Sequence, residues 1–367
     1  MTQPYRILFV IPSLHGGGAE FVARTWMAWL AGRGHQVGVI LTAGEVKPEY
    51  LPAAVEAHTL ASRRGHSAKA AALRRHILQW QPDIAIALQA YPNLVLLTAT
   101  RLIPARLRPR VLVSERNLVS LGLAGSDFSH RTKIWFAKRL YGFADHVIAI
   151  SHPVAAEMVA AFGVRGDHIT VVPNPATAKV HRITARSSRR LGADNGIQIV
   201  LACRLVAQKR PLLAIKAAAE LARRGIMVEV VSFGGGPLLE DVQAAARQEN
   251  VLFHHRGWVE NWFDHFGDNA VALLTSSREG FGNVLVEAAA AGYPAVAVSG
   301  ALGVADAIVP GITGELALSE HPVDVADAIL RAVDLPLENI EPWLARFSEE
   351  ASGGALERVI TRVMERA

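Results

Sequence analysis

Short apolar runs rich in valine and isoleucine alternate with helix-like stretches through the first half of the chain. These runs are almost continuously apolar, which is typical of parallel strands that are covered on both faces. Helical periodicity over 20–33 and 67–80 fills two of the intervals between them. The strands predicted in this half are 6–14, 36–41, 83–88, 110–114, 146–151 and 169–173.

The alternation stops at 174–196, which is polar, basic and free of long apolar runs, and then resumes. This pattern predicts two doubly wound α/β domains joined by a linker. Because open sheets of this kind bind ligands at the carboxyl ends of their strands, we expect two domains that face each other across a cleft. The strands predicted in the second half are 197–202, 227–233, 251–255, 270–275 and 294–299.

The composition predicts a large core and a mildly basic surface, since 51% of the 367 residues are hydrophobic and the formal net charge is +5. Such a surface suits phosphorylated substrates, anionic membranes or nucleic acid, although no nucleic-acid-binding motif accompanies it. The single cysteine, Cys203, excludes an internal disulfide and argues against a cysteine-ligated metal. No apolar run approaches about 18 residues, so we expect a cytoplasmic protein and leave peripheral membrane attachment open.

Glycine-rich turns follow two of the predicted strands. Gly16–Gly18 precede a helix that starts near Glu20, and Gly234–Gly236 precede Pro237. Glycine lets a backbone approach a ligand and a helix start offers amides to an anion, but these glycines can also serve the turn alone. Phe21 stands where a dinucleotide motif has its third glycine, which disfavours a nicotinamide enzyme.

Two cations follow the strand 197–202. Arg204 and Lys209 would lie at the carboxyl end of this strand, where an arginine fork and a lysine point charge can neutralise a diphosphate. Taken alone, this stretch favours ordinary solvated charges.

Two glutamates eight residues apart follow the strand 270–275. Glu279 lies on the turn, and Glu287 lies one turn into a helix for which Asn283 is the predicted N-cap. Carboxylates accept hydrogen bonds from a vicinal diol, and the amides of such a turn suit phosphate oxygens. Glu287 could alternatively be a charge on the helix surface.

These segments resemble the retaining glycosyltransferases of family 4, which have the GT-B fold of two Rossmann-like domains. The resemblance extends over almost the whole chain, and its most specific stretch is 279–297 with the E-x7-E spacing of Glu279 and Glu287. Asp306 stands where the family usually has glutamate, and Arg210 stands where it usually has glycine. The other segments that carry the resemblance are 16–20, 203–209, 233–237, 255–259 and 303–317.

The resemblance implies a role for each of these residues. Glu279 would contact the hydroxyls of the donor sugar, Glu287 would hold the ribose, and Arg204 and Lys209 would bind and stabilise the departing diphosphate. Arg204, Lys209 and Glu279 are therefore the expected catalytic residues. The donor-binding residues expected beside Glu287 are Gly17, Gly18, Gly234, Gly235, Trp258, Val259, Phe281, Gly282, Asn283, Val284 and Leu285.

The resemblance also implies that no cofactor and no divalent metal are needed, because the cations could replace a metal. Many members have a histidine after the fourth strand; here that loop contains Glu115, Arg116 and Asn117, which become candidates for sugar or acceptor contact. Since the last helix of such proteins often returns to the first domain, the expected domains are 1–178 with 341–367, and 179–340.

The expected reaction is transfer of a hexose from a nucleotide diphosphate sugar to an acceptor hydroxyl with retention. The first expected acceptor is a lipid-linked or growing glycan in polysaccharide or glycan biosynthesis, and the second is a small soluble aglycone. A sugar-nucleotide epimerase of related fold and a non-catalytic nucleotide-sugar binding protein remain alternatives.

The stretch 129–145 is both basic and aromatic. It could form a helix that touches anionic lipid at the inner face of a membrane, or one that packs its aromatic residues on the sheet.

Overall fold

The computed structural model describes residues 3–122, 128–180, 196–267 and 269–366. The chain divides into two compact units. Unit 1 contains Met1–Pro175 and Glu349–Ala367, and unit 2 contains Ala176–Ser348. Each unit is built on its own parallel sheet, which confirms the predicted pair of doubly wound α/β domains.

Unit 1 has a seven-stranded sheet in the order β3-β2-β1-β4-β5-β6-β7. Its helices lie between the strands along the chain, so each connection is a crossover between parallel strands. The strands are β1 (Arg6–Ile11), β2 (Gln36–Leu41), β3 (Val55–Thr59), β4 (Ile84–Leu88), β5 (Arg110–Glu115), β6 (His146–Ala149) and β7 (Ile169–Val171). The helices are α1 (Gly18–Gly32), α2 (His66–Trp80), α3 (Ala90–Arg101), α4 (Phe128–Leu140) and α5 (His152–Ala160).

Unit 2 has a six-stranded sheet in the order β10-β9-β8-β11-β12-β13. The strands are β8 (Ile197–Ala202), β9 (Val228–Phe233), β10 (Leu252–His255), β11 (Ala270–Leu274), β12 (Ala295–Val298) and β13 (Gly314–Ala317). The helices are α6 (Pro211–Arg223), α7 (Leu239–Gln248), α8 (Asn283–Ala290), α9 (Pro322–Val333) and α10 (Glu341–Ala345).

The strand order reverses between β1 and β4 in unit 1 and between β8 and β11 in unit 2. At such a reversal the chain continues from the two strands toward opposite faces of the sheet, which leaves a crevice at the carboxyl ends of the strands. In unit 2 these are the loops that carry Lys209 and Glu279. The topology therefore places the two segments singled out by the sequence at one point.

The cores explain why the apolar runs are continuous. In β1, Leu8 and Val10 belong to one buried cluster, whereas Ile7 and Phe9 belong to the cluster on the opposite face. Alternate residues of the same strand are therefore both withdrawn from water, and each fully buried aliphatic side chain contributes about 1.5–3 kcal/mol. Because both faces of such a strand are buried, its sequence is continuously apolar and does not alternate between apolar and polar residues.

Two strands were not predicted from the sequence, β3 and β13. Both lie at a sheet edge. In β3 only Val55 is buried, so the strand has no continuous apolar run. β13 has only four residues and its apolar positions are interrupted by Glu315, so neither strand shows the continuous apolar run used to find buried strands.

The last helix, α11 (Glu349–Glu365), packs in unit 1 against α1. Its apolar side, which includes Leu356 and Ile360, lies in the same buried cluster as Trp26. The indole N–H of Trp26 donates to the hydroxyl of Ser352 at 2.8 Å, and that hydroxyl donates to the carbonyl of Pro173 at 2.5 Å. The C-terminal helix is thereby joined to the end of unit 1.

The boundaries between the units differ slightly from the expected 178/179 and 340/341. The first lies at 175/176, and the second lies at 348/349. Residues 341–348 stay in unit 2 because the Phe347 ring packs on Phe281 and the Phe347 carbonyl accepts a hydrogen bond from the amide of Thr177. Most of the expected linker, residues 181–195, lies outside the described residues. Within the described ranges, no helix is both long enough and apolar enough to span a membrane.

Adjacent glycines of α11 give a test of this packing. A Cβ added at Gly353 would lie 2.5 Å from the ring of Trp29, whereas one added at Gly354 meets only the Arg358 side chain at 3.5 Å. Gly353→Ala should therefore destabilise the protein by about 1–3 kcal/mol through overpacking. Gly354→Ala should stabilise it by up to about 1 kcal/mol, because alanine favours a helix. Thermal unfolding midpoints measure both, and a lower midpoint for Gly354→Ala alone would contradict the packing.

Candidate functional site

The loops after β8 and β11 are joined side by side at the reversal point of unit 2. The amide of Ser277 donates to the carbonyl of Gln208 at 2.9 Å, and the Gln208 side chain donates to the carbonyl of Arg278 at 3.0 Å. The hydroxyl of Thr275 donates to the carbonyl of Lys209 at 2.8 Å. These bonds hold residues 207–210 and 275–279 as one edge of the site.

Lys209 and Glu279 form an ion pair at this edge. The Glu279 carboxylate is only 8% exposed and also accepts a hydrogen bond from the Ser276 hydroxyl at 2.5 Å. A carboxylate so far from water needs a cation and further donors to remain ionised at acceptable cost. The sequence suggested separate roles for this cation and this carboxylate, and the structure brings them into direct contact.

The backbone of Glu279 is fixed from behind by residues that follow β12. Its amide donates to the carbonyl of Ala301 at 2.9 Å. Gly303 lies so close that a Cβ added there would overlap the carbonyl oxygen of Glu279. A residue with a side chain could therefore not occupy position 303 without moving the turn that carries Glu279.

Glu287 is 2% exposed, so the alternative that it is a charge on the surface of α8 is wrong. One carboxylate oxygen accepts from the indole N–H of Trp262 at 2.9 Å, and the other lies 3.4 Å from the ammonium of Lys179. The sequence did not point to either partner. Trp262 lies on a short turn after β10 and Lys179 lies in the predicted linker, and nothing in the local pattern connects them to α8.

Arg204 is exposed at the same edge and makes no ion pair within the described part of the chain. Its neighbour Cys203 is influenced by the charges of Lys209, Glu279 and Arg204, so all three lie close to this thiol. Burial raises the pKa of Cys203 to about 11, which keeps the thiol protonated at neutral pH. An unpaired guanidinium beside an ion pair leaves the edge able to take up an anion.

The glycine turn after β9 is required for packing. Gly234 has a positive φ of 106°, and a Cβ there would lie 2.6 Å from the carbonyl oxygen of Cys203. Its amide donates to the carbonyl of Gly257 at 2.6 Å, so this amide is already used. Gly235 is exposed with open space around it. The interpretation as a structural turn therefore fits Gly234, whereas Gly235 stays a candidate for ligand contact.

Gly282, and not Asn283 as expected, is the N-cap of α8. Its φ of 102° suits glycine, and the helix begins at Asn283. A glycine cap has no side chain to bond the amides of the first turn, but its carbonyl accepts from the amide of Leu285 at 3.0 Å. The side chain of Phe281 is buried and contributes to the core rather than to the surface of the site.

A cavity of about 500 Å³ lies along the face of β8, β9 and β10. Val259 lines it, while Trp258 points outward with an exposed ring. The cavity therefore has aromatic, aliphatic and charged walls, as sites for small molecules often do. The other lining residues are Gln198, Glu229, Val231, Phe233, His254, Arg256, His265 and Phe266.

In unit 1, the glycine loop carries a carboxylate of its own. The helix α1 begins at Gly18, and Glu20 in its first turn lies so close that a Cβ at Gly17 would be 2.6 Å from its carboxylate oxygen. The Gln89 side chain donates to Glu20 at 3.0 Å. Because the N-terminus of a helix favours negative charge, the Glu20 carboxylate already lies where a phosphate would bind. Contact of Gly17 and Gly18 with a phosphate stays a prediction, and it requires Glu20 to leave room for that group.

Glu115 lies beneath the surface rather than on it, with 1% exposure. The hydroxyl of Tyr141 donates to its carboxylate at 2.7 Å, and the amide of Arg116 donates at 3.0 Å. Burial raises the pKa of Glu115 to about 7, and these donors oppose that rise. The carboxyl group is thus enclosed, and its hydrogen bond with the amide of Arg116 supports the loop that follows β5.

Arg116 and Asn117 are half-buried at the end of β5. The Arg116 guanidinium donates to Asn174 and to the hydroxyl of Ser114 at 3.3 Å, and it lies 5.3 Å from the ring of Trp26. The Asn117 side chain accepts from the amide of Leu118 at 2.8 Å. Both therefore remain candidates for contact with a ligand, whereas Glu115 is a supporting group.

No group of three or more His, Cys, Asp or Glu residues is arranged to hold a metal ion within the ranges that the structure describes. Metal independence of the chemistry stays a prediction.

Two family models match the chain. Residues 16–178 match the model described as Glycosyltransferase Family 4, and residues 196–334 match the model described as Glycosyl transferases group 1. Between them they cover both parallel-sheet units.

The curated relatives are glycosyltransferases. The D-inositol 3-phosphate glycosyltransferase of Arthrobacter sp. (strain FB24) is 30% identical over 216 residues, which is 54% of this chain and 49% of that protein. The putative glycosyltransferase EpsF of Bacillus subtilis is 34% identical over 150 residues, which is 40% of this chain and 38% of that protein. The chain therefore spans about half the length, or less, of these curated relatives.

Solved structures share the fold over their full length. Anabaena HepE in complex with UDP-glucose has a TM-score of 0.74 at 18% identity, covering 98% of this chain and 100% of that chain. The apo form of the lipopolysaccharide outer core galactosyltransferase WaaB has a TM-score of 0.72 at 20% identity, with 97% and 99% covered. At these identities the likeness establishes the GT-B fold.

The pH dependence of stability should report the enclosed Glu115. Because its pKa is raised from 4.5 to about 7, the folded state binds the proton more tightly than the unfolded state. This contribution to stability is fully present below pH 4.5 and is lost as the pH rises to about 7.

Glu115→Gln removes this titration. The unfolding midpoint of the wild type should therefore fall relative to that of the variant between pH 4.5 and 7, and then stay constant. Parallel profiles of the two proteins over this range would contradict the assignment.

Proposed function

We propose a donor and a reaction course for this chain, which belongs to the family 4 glycosyltransferases and has the GT-B fold. It transfers a hexose from a nucleotide diphosphate sugar to an acceptor hydroxyl and retains the configuration at the anomeric carbon. The observation that carries this proposal is the contact between Lys209 and Glu279, with Arg204 beside them.

The charges at the edge of unit 2 support the proposed donor. A diphosphate requires cations. Arg204 offers a guanidinium that can bind two phosphate oxygens at once, and Lys209, in the same loop, offers an ammonium. The buried carboxylate of Glu287 suits the two hydroxyls of a ribose, and Glu279 suits the hydroxyls of a hexose. The cavity beside Val259 is the proposed place for the base. Anabaena HepE, which has the same fold, was solved with UDP-glucose.

The proposed reaction breaks the bond between the anomeric carbon and the diphosphate oxygen and forms one to the acceptor oxygen on the same face. The proton of the acceptor hydroxyl passes to the departing phosphate oxygen. Lys209 and Arg204 stabilise the charge that grows on the diphosphate, and they do so without a metal. Glu279 is held by Lys209 and Ser276, and Cys203 stays protonated, so neither is prepared to attack as a nucleophile.

The proposed acceptor is a lipid-linked or growing glycan, as in polysaccharide or glycan biosynthesis. The name of WaaB places that protein in lipopolysaccharide assembly. The second candidate is a small soluble acceptor, because several curated relatives are named for D-inositol 3-phosphate. Arg116 and Asn117 are the proposed contacts in unit 1.

An exposed surface on α4 supports action at a membrane. Trp135 is 50% exposed and Phe136 is 45% exposed, while Ile134 and Ala137 of the same helix and Tyr141 in the turn after it are buried. The alternative that the aromatic residues pack on the sheet therefore holds for Tyr141 but not for this pair.

Cations accompany the exposed rings of α4. The guanidinium of Arg139 lies 3.6 Å from the centre of the Trp135 ring, and Arg131 and Lys138 are exposed on the same helix. Aromatic rings among cations are typical of a helix that lies in the headgroup region of an anionic bilayer. We assign this protein to the cytoplasmic side of such a membrane as a peripheral protein.

A donor panel tests the proposed substrate directly. Stabilisation against thermal unfolding by a UDP-, GDP- or TDP-sugar identifies the base, and NMR of the product identifies the anomeric configuration. Conversion of the donor sugar with no acceptor present would instead indicate an epimerase.

Arg204→Ala and Lys209→Ala should each lower turnover by at least about 100-fold, since each removes a charge that stabilises the leaving diphosphate. The unfolding midpoint of Arg204→Ala should stay close to that of the wild type, because Arg204 is exposed. Lys209→Ala should lower the midpoint, because it leaves the buried Glu279 carboxylate without its cation. The control is Arg223→Ala, which removes an exposed guanidinium paired with Glu220 on α6. Turnover equal to that of the wild type in both site variants would remove these cations from the mechanism.

Co-sedimentation with vesicles tests the membrane contact. The protein should bind vesicles that contain phosphatidylglycerol and should not bind pure phosphatidylcholine. Lys138→Glu with Arg139→Glu should weaken binding at least about tenfold, since each cation near the surface contributes about 1 kcal/mol. Trp135→Ala with Phe136→Ala should also weaken it.

The matched control for the vesicles is Lys216→Glu with Arg247→Glu, which changes two exposed cations of unit 2 by the same charge. Equal binding of the α4 variants and this control would overturn the proposed surface.

A further inference from the structure

Arg210 adopts a left-handed backbone conformation that side chains rarely take. Its φ is 46° and its ψ is 54°, and it immediately precedes α6. The sequence pattern already marked this position as one where glycine is usual. A glycine would satisfy this turn without strain, so the arginine must be retained by what its side chain does.

The guanidinium of Arg210 bridges to the loop after β11. Its Nε donates to the carbonyl of Thr275 at 2.9 Å, and one terminal nitrogen donates to the carbonyl of Ser276 at 3.1 Å. The other terminal nitrogen pairs with the carboxylate of Glu320. In return, the Thr275 hydroxyl donates to the carbonyls of Lys209 and Arg210 at 2.8 and 2.9 Å.

These bonds act on both members of the ion pair described above. The Arg210 backbone is continuous with Lys209, so its tight turn sets the backbone position from which the Lys209 side chain extends. The guanidinium fixes Ser276, whose hydroxyl in turn donates to Glu279. Arg210 thus connects the loop that carries the cation to the loop that carries the carboxylate.

We propose that Arg210 is a positioning residue that holds Lys209 and Glu279 in register for the diphosphate and the sugar of the donor. The proposal rests on the proposed function, which assigns those roles to the pair. Lysine could not replace the arginine, because an ammonium lacks the planar fork that reaches two adjacent carbonyls and a carboxylate at once.

The test is the binding of UDP, GDP and TDP by isothermal titration calorimetry, using the nucleotide that the wild type binds most tightly. Arg210→Gly keeps the turn and removes the bridge, so its affinity should fall about tenfold. Glu320→Gln leaves both carbonyl bonds of Arg210 in place, and its affinity should stay within about twofold of the wild type. Should Arg210→Gly fail to fold, Arg210→Lys is expected to show the same loss.

A double variant separates positioning from a general loss of structure. If Arg210 acts through Lys209, then Arg210→Gly should change nucleotide affinity by less than about twofold in a Lys209→Met background. An equal loss in both backgrounds, or wild-type affinity in Arg210→Gly and Arg210→Lys, would overturn this proposal alone. A wild type that binds none of the three nucleotides would overturn the proposed function, and the role of Arg210 with it.

Discussion

Buried carboxylates that must remain satisfied organise the site. In unit 2, Glu279 is held by the ammonium of Lys209 and the hydroxyl of Ser276, and Glu287 is held by Lys179 and the indole of Trp262. Each carboxylate thus has one cation and one neutral donor. A charge removed from water costs several kcal/mol unless it is compensated, so these partners are a condition for the fold as well as for binding.

The parallel sheet determines where such carboxylates can lie. Its strands are buried on both faces, which leaves polar residues to the loops at the strand ends. The reversal of strand order between β8 and β11 brings two of these loops together, and hydrogen bonds between them fix their relative position. Fold and site therefore depend on each other. The strand order of the sheet places the two loops side by side, and the hydrogen bonds between the loops connect the carboxyl ends of β8 and β11.

Much of this could be predicted from the sequence. Continuous apolar runs located the buried strands. The positions of Arg204, Lys209, Glu279 and Glu287 after strands, together with the resemblance to family 4, made them candidate site residues, and their roles stay a prediction. The strands β3 and β13 were missed because neither has a continuous apolar run, whereas the edge strands β7 and β10 were located.

The partners of the carboxylates could not be predicted. Trp262 lies 25 residues before Glu287 in the chain and meets it only in the fold. Burial also changed the interpretation of Glu115, since its position after the predicted strand 110–114 and the resemblance suggested a ligand contact, whereas the structure gives an enclosed group with a raised pKa. Local patterns report which residues follow a strand, but they do not report which distant side chain completes a buried pair.

The proposed donor site requires Lys209 and Glu287 to act on one bound nucleotide. A crystal structure with the nucleoside diphosphate that stabilises the chain most would test this directly. We expect diphosphate oxygens within about 3 Å of the Lys209 ammonium and both ribose hydroxyls on the Glu287 carboxylate. A nucleotide bound elsewhere, with these two side chains contacting only their protein partners, would contradict it.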